Sequence, residues 1–209
     1  MIHGKITATK IYKTGITEKV FEESNFTLRG FGYTIASILA GDPNSDRNNY
    51  FCRYFQLGKG NALSSVPGDD RLGIWGLANP LDKSEYGASP TIPVVRLYPI
   101  SGTPTGAAIK NTSFSTSTSQ YFGDITGDSI TKLTANSIHH QIMLDETVAN
   151  GIAINEIGLF ACNPNTSPTK DNPILVAYKK FPPAGIINKN AEFTFILDWE
   201  ITIDDISSI

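Results

Sequence analysis

Residues 192–203 read EFTFILDWEITI. Phe193, Phe195, Leu197, Trp199, Ile201 and Ile203 alternate with Glu192, Thr194, Ile196, Asp198, Glu200 and Thr202. Successive side chains of a strand point to opposite faces, so this run is an amphipathic β-strand with its odd face buried. Trp199 lies on that face and is assigned to the core.

The same period recurs upstream. In 137–144 (SIHHQIML) Ile138, His140, Ile142 and Leu144 share one face. Residues 152–162 (IAINEIGLFAC) form a buried strand, and the change of apolar phase near Glu156 predicts a bulge. Residues 174–181 (ILVAYKKF) form another strand, ended by Pro182-Pro183. At the other end, 5–14 and 16–23 read as paired strands around Gly15, and 49–57 ends in the turn Gly58-Lys59-Gly60-Asn61. Residues 92–98, flanked by Pro93 and Pro99, read as an edge strand. The period changes once. Leu28, Phe31, Ile35, Ile38 and Leu39 lie on one helical face, with Thr27 or Asn25 as cap and Gly41 as stop.

Seven or more strands and one helix near 28–40 predict an all-β fold. The expected form is an antiparallel β-sandwich, of the jelly-roll or immunoglobulin-like kind, with long loops. No β-α alternation supports a doubly wound sheet. The chain of 209 residues is read as one domain, 1–209, with an elaborated region at about 62–136. Within it, 62–91 is expected to be a long excursion with little regular structure, carrying exposed Trp75 and Tyr86.

Composition narrows the function. The net charge is −3 and only 18% of residues are charged. That balance argues against nucleic acid or an anionic membrane as main partner, since both select basic faces. The low charge also suggests a surface covered by neighbours. Nothing at the N-terminus reads as a secretory signal, and no apolar run is long enough to span a bilayer. Folding in a cytosol is expected, with Cys52 and Cys162 as buried free thiols.

No residue set reads as catalytic, cofactor-binding or metal-binding. Gly58-Lys59-Gly60 lacks phosphate-loop spacing. His139 and His140 are adjacent on a strand and face opposite ways, so one metal cannot take both. His140 is read as a hydrogen-bonded core histidine. Asp69-Asp70, Asp145-Glu146 and Asp204-Asp205 read as solvated turns or terminus. Trp75 and Tyr86 are the candidate contacts for a partner or a glycan.

Two blocks carry a resemblance. The first is NFTLRGFGYTIASILAG from Asn25, followed by FQLGKGN. The second is NGIAINEIGLFA from Asn150, then ILVAYKKFPP and INKNAEFTFILDWEITI. Their order resembles a family of tailed-bacteriophage virion proteins, which includes the N-terminal domains of tail-collar and tail-fibre proteins. The matching positions are Asn25, Gly58, Gly60, Glu156, Gly158, Phe160, Pro182 and Trp199, all markers of fold. The resemblance covers a little under half of the chain.

It implies a non-enzymatic structural component of the virion, made in the bacterial cytoplasm. The location would be tail, neck or collar, baseplate, or an adaptor anchoring fibres. The implied partners are other virion proteins and copies of itself, as a trimer or ring, without cofactor. A carbohydrate-binding sandwich for host recognition, a capsid decoration protein and a cell-wall hydrolase are the rival readings.

Overall fold

A computed structural model describes residues 2–27, 29–40, 51–60, 77–97, 120–125, 129–134, 136–162 and 173–203. Twelve strands are assigned among them. They are β1 (Ile2–Tyr12), β2 (Thr17–Thr27), β3 (Cys52–Gly58), β4 (Val94–Leu97), β5 (Gln120–Asp124) and β6 (Ile130–Leu133). Then follow β7 (Ser137–Leu144), β8 (Ala153–Ile154), β9 (Glu156–Cys162), β10 (Pro173–Lys180), β11 (Ile187–Asn188) and β12 (Phe193–Ile203). Helix α1 spans Arg29–Ala40, and a single turn, α2, spans Lys83–Tyr86.

Ten strands form one continuous order, β4-β5-β3-β9-β10-β2-β1-β12-β7-β6, and every pairing is antiparallel. Strand β2 divides this ladder into two sheets. Its residues from Thr17 to Asn25 pair with β1, whereas Phe26 and Thr27 pair with Tyr178 and Ala177 of β10. The two inner faces share one apolar cluster. Ile6, Ile142, Leu197 and Trp199 come from the first sheet, and Phe55, Leu57, Ile157 and Leu159 from the second. This is the expected antiparallel sandwich.

Strand β12 takes the centre of the first sheet, between β1 and β7. Its odd residues from Phe193 to Ile201 are all buried, as the alternation predicts. The second sheet is apolar on both sides. Tyr54, Phe122, Phe160, Leu175 and Tyr178 form a separate cluster with Leu77 on the face away from the main core.

Several expectations are corrected. Asn25 does not cap α1; it is a buried residue inside β2. Leu39 is off the buried helix face and 80% exposed, while Phe31 and Thr34 are buried. The phase change near Glu156 is not a bulge in β9. Asn155 interrupts the chain, so that β8 pairs with β11 while β9 pairs with β3 and β10. The bulges lie on the partner strands, at Arg53 and Val176. Strand β4 is at a sheet edge, as its flanking prolines suggest.

The 62–91 excursion is also more structured than expected. From Leu77 onward it is anchored by buried side chains: Leu77 joins the outer cluster of the second sheet, whereas Leu81 and Tyr86 join the main core.

Candidate functional site

Three of the motif positions meet at one carboxylate. Glu156 opens β9 and is 2% exposed. Its cross-strand partner is Gly58. A Cβ on Gly58 would collide with the Glu156 carboxylate, and one on Gly60 would lie 2.7 Å from Oε1. The two glycines are therefore small because the carboxylate occupies the space a side chain would need.

The carboxylate accepts three hydrogen bonds. Ala78 N donates to Oε2 at 3.1 Å, Asn79 N to Oε1 at 2.9 Å, and the Tyr178 hydroxyl to Oε2 at 3.0 Å. Burial is the main cause that pushes the Tyr178 phenol upward, followed by the Glu156 charge and the hydrogen bond between them. A buried anion is tolerated only when such donors replace its water.

Backbone bonds complete the junction. Lys59 N donates to Asn79 O at 2.9 Å, Leu81 N to Leu57 O at 2.9 Å, and Gly58 bridges to Pro80. The Asn155 amide Nδ2 donates to Gly60 O, and Asn155 N donates to Gly58 O at 3.0 Å. Lys59 pairs with Glu85 of α2. Burial raises the Glu85 carboxyl, but bonds from Lys59 and the Asp82 N–H outweigh it, so the carboxyl sits below its ordinary value. Glu156 thus pins residues 58–60 against 78–80. Its oxygens are committed to fixed donors, which suits an anchor rather than proton transfer.

The remaining motif residues are packing positions. A Cβ on Gly158 would meet Leu175 Cδ1 at 2.6 Å and Leu77 Cδ1 at 2.7 Å. Phe160 meets Phe122 edge-on, with centroids 5.0 Å apart. Pro182 accepts a bond from Gly185 N at 2.7 Å in a 3-10 turn (Pro183–Gly185). Asn25 fills the space where a Cβ of Gly4 would be.

Trp199 stands opposite His140 in the β12–β7 register, and both are buried. His140 Nδ1 bonds Thr131 Oγ1 at 2.9 Å. Burial, helped by the His139 charge, pulls its pKa down to about 4. His139 faces outward onto Glu200 at 3.1 Å. The core role read for His140 fits this placement.

The candidate contacts fare differently. Tyr86 is 1% exposed, so the exposed platform expected there does not exist. Its hydroxyl accepts from Leu57 N at 3.2 Å, its carbonyl accepts from Ala149 N at 2.9 Å, and burial pushes the phenol upward. Trp75 lies outside the described residues, as do the pairs Asp69-Asp70 and Asp204-Asp205 and the Cys162 side chain. Cys52 carries a free thiol that burial pushes up to about 12, far from thiolate chemistry at neutral pH. Asp145 is bound within its own turn by Thr147 N at 2.7 Å. Among the described residues, no three His, Cys, Asp or Glu side chains converge as a metal site.

Sequence reading missed two buried lysines. Lys179 reaches Glu23 and the Ser24 carbonyl at the seam between the sheets. Lys189 is 1% exposed between two turns. Lysine is ordinarily a surface residue, and only the surrounding turn residues (Asn150-Gly151 and Asn188–Asn190) hinted at the second. A shallow polar groove of about 380 Å³ also opens between His3, Lys5, Glu22, Ser24 and Thr202. The Lys5–Glu22 pair, 2.7 Å apart, lies in it.

Comparison with protein families, curated proteins and solved structures returned no match.

Proposed function

We propose that this protein is a structural subunit of a tailed-phage particle, acting through protein–protein contacts in the tail, neck, baseplate or fibre anchor. The observation that carries the reading is the Glu156 junction. Gly58 and Gly60 come from the first resembling block and Glu156 from the second, and they occupy one another's space. Motif residues far apart in sequence are mutually dependent, as expected of one inherited structural unit.

The chemistry at the motif supports the same direction. Its polar groups are used to fix backbone. Among the described residues, strands β4 and β6, four residues each, stand at the two edges of the ladder, where backbone groups suit pairing with a neighbour. Closed symmetric assembly, as a trimer or ring, is the usual outcome for such subunits. In this reading the protein is not an enzyme, is made in the bacterial cytoplasm and resides in the virion.

Antibody raised against the recombinant chain tests the proposal on purified tailed particles of the phage that encodes it. Labelling at a fixed location by electron microscopy is expected, together with the chain's peptides in the particle digest. Particles that lack the chain altogether reject the proposal.

A further inference from the structure

We propose that Lys189 and Asn150 form a self-catalysed isopeptide crosslink joining the turn after β7 to the turn before β12. The two side chains already touch. Lys189 Nζ lies 3.3 Å from Asn150 Oδ1 and 2.7 Å from the Asn190 carbonyl. The Phe193 ring covers it, with its centroid 5.2 Å from Nζ. The two backbones are bonded as well: Gly151 N donates to Lys189 O and Lys189 N to Ile152 O, each at 2.9 Å. The amine and amide are therefore held together by the fold, which removes the entropic cost of their encounter.

The amine is suited to attack. Burial draws its pKa down to about 8, against the opposing pull of Asp145 and Glu146; Lys13 adds to the lowering. A neutral lysine amine is the nucleophilic form. Asp145 is occupied by Thr147, through its N–H and its hydroxyl, both at 2.7 Å. Glu146 is the freer carboxylate: among the described residues it accepts a long 3.4 Å bond from Thr194 Oγ1, one residue from Phe193, and its charge acts on Lys189. Its backbone carbonyl accepts the Asn150 Nδ2 hydrogen bond.

The step balances without a co-reactant. Rotation of the Asn150 amide presents Cγ to Nζ. Nζ bonds to Cγ and gives its proton to the Glu146 carboxylate. The Cγ–Nδ2 bond breaks, Glu146 returns the proton to Nδ2, and ammonia leaves. The product is a secondary amide linking residues 150 and 189.

Intact-mass spectrometry of the full recombinant chain tests this after incubation at pH 7 and pH 9. The expected mass is that of the chain less one ammonia, forming faster at pH 9, where more Lys189 is neutral. A tryptic map should show one branched peptide containing Asn150 and uncleaved Lys189. Asn150→Ala, at an exposed turn position, should keep the full mass and the same β-rich circular dichroism. Glu146→Gln should slow crosslinking by about a hundredfold at both pH values while keeping the rise from pH 7 to pH 9, which belongs to Lys189. Full mass at both pH values in the folded chain overturns the proposal. So does a mass change at Asn150 that leaves Lys189 cleavable by trypsin.

Discussion

At Gly58 the chain tolerates no side chain because Glu156 is already there. Gly58→Ala should therefore cost about 1–3 kcal/mol, the usual range for overpacking a close-fitted site. Glu156→Ala should cost a similar amount or more for a different reason: the donors of Ala78, Asn79 and Tyr178 lose their acceptor. The two losses share one contact, so the double variant should be less destabilised than the sum of the singles. Urea denaturation of the four proteins measures the coupling, and strict additivity would refute the junction.

His140 makes a pH prediction whose sign follows from burial. Its folded pKa is about 4, below the ordinary 6.5, so the unfolded chain binds a proton first as pH falls. Between pH 6.5 and 4 the unfolded state holds more protons, and stability declines with falling pH. The full effect approaches about 3 kcal/mol by linkage. His140→Gln should flatten the stability profile between pH 6.5 and 5, above most carboxylate titration. An unchanged slope in thermal unfolding across that window would show that His140 is not the group responsible.

At the scale of elements, the two sheet margins differ from the centre. All four residues of β6 are exposed, and among the described residues β6 pairs on one side only, with β7. Strand β12 is paired on both sides over most of its length and has its odd face in the core. Local opening should therefore release β6 long before β12. Amide hydrogen exchange should find β6 exchanging fastest among the strands of this sheet and β12 slowest.

Legibility followed the same gradient. Strands β7 and β12 are readable because one buried face imposes a period of two, and β9 and β10 because burial on both faces makes a continuous apolar run. Strands β5 and β6 escaped notice because they are short and lie among Ser, Thr and Gly. Tyr86 was misread as exposed because its anchor is tertiary. It reaches Leu57 and Ala149, contacts that no local pattern announces. The glycines of the 58–60 turn were visible, but not their reason, since Glu156 is nearly a hundred residues away. Tyr86→Phe, which removes one buried partner of Leu57 N, should cost about 1 kcal/mol in chemical denaturation.

At the scale of the whole molecule, the two ends of the sequence make the central pairing. Ile2 pairs with Ile203 and Tyr12 with Phe193, through eleven residues of unbroken register. Strand β12 also carries β7, so it is the only link between β1 and the β7–β6 margin in the strand order. A chain ending before Phe193 would lose the central strand and, with it, Phe195, Leu197, Trp199 and Ile201 from the core. That loss exceeds the marginal stability of a domain, commonly about 5–15 kcal/mol, because each large apolar side chain removed costs several kcal/mol. The truncated chain should show no cooperative unfolding transition by circular dichroism, whereas a chain ending after Ile203 should keep one. The intact chain must close this end-to-end pairing before its core is complete, and non-local pairing of this kind slows folding. Refolding on a scale of about milliseconds to seconds is therefore expected in stopped-flow Trp fluorescence, with Trp199 reporting its burial against Ile6 and His140 as β12 docks.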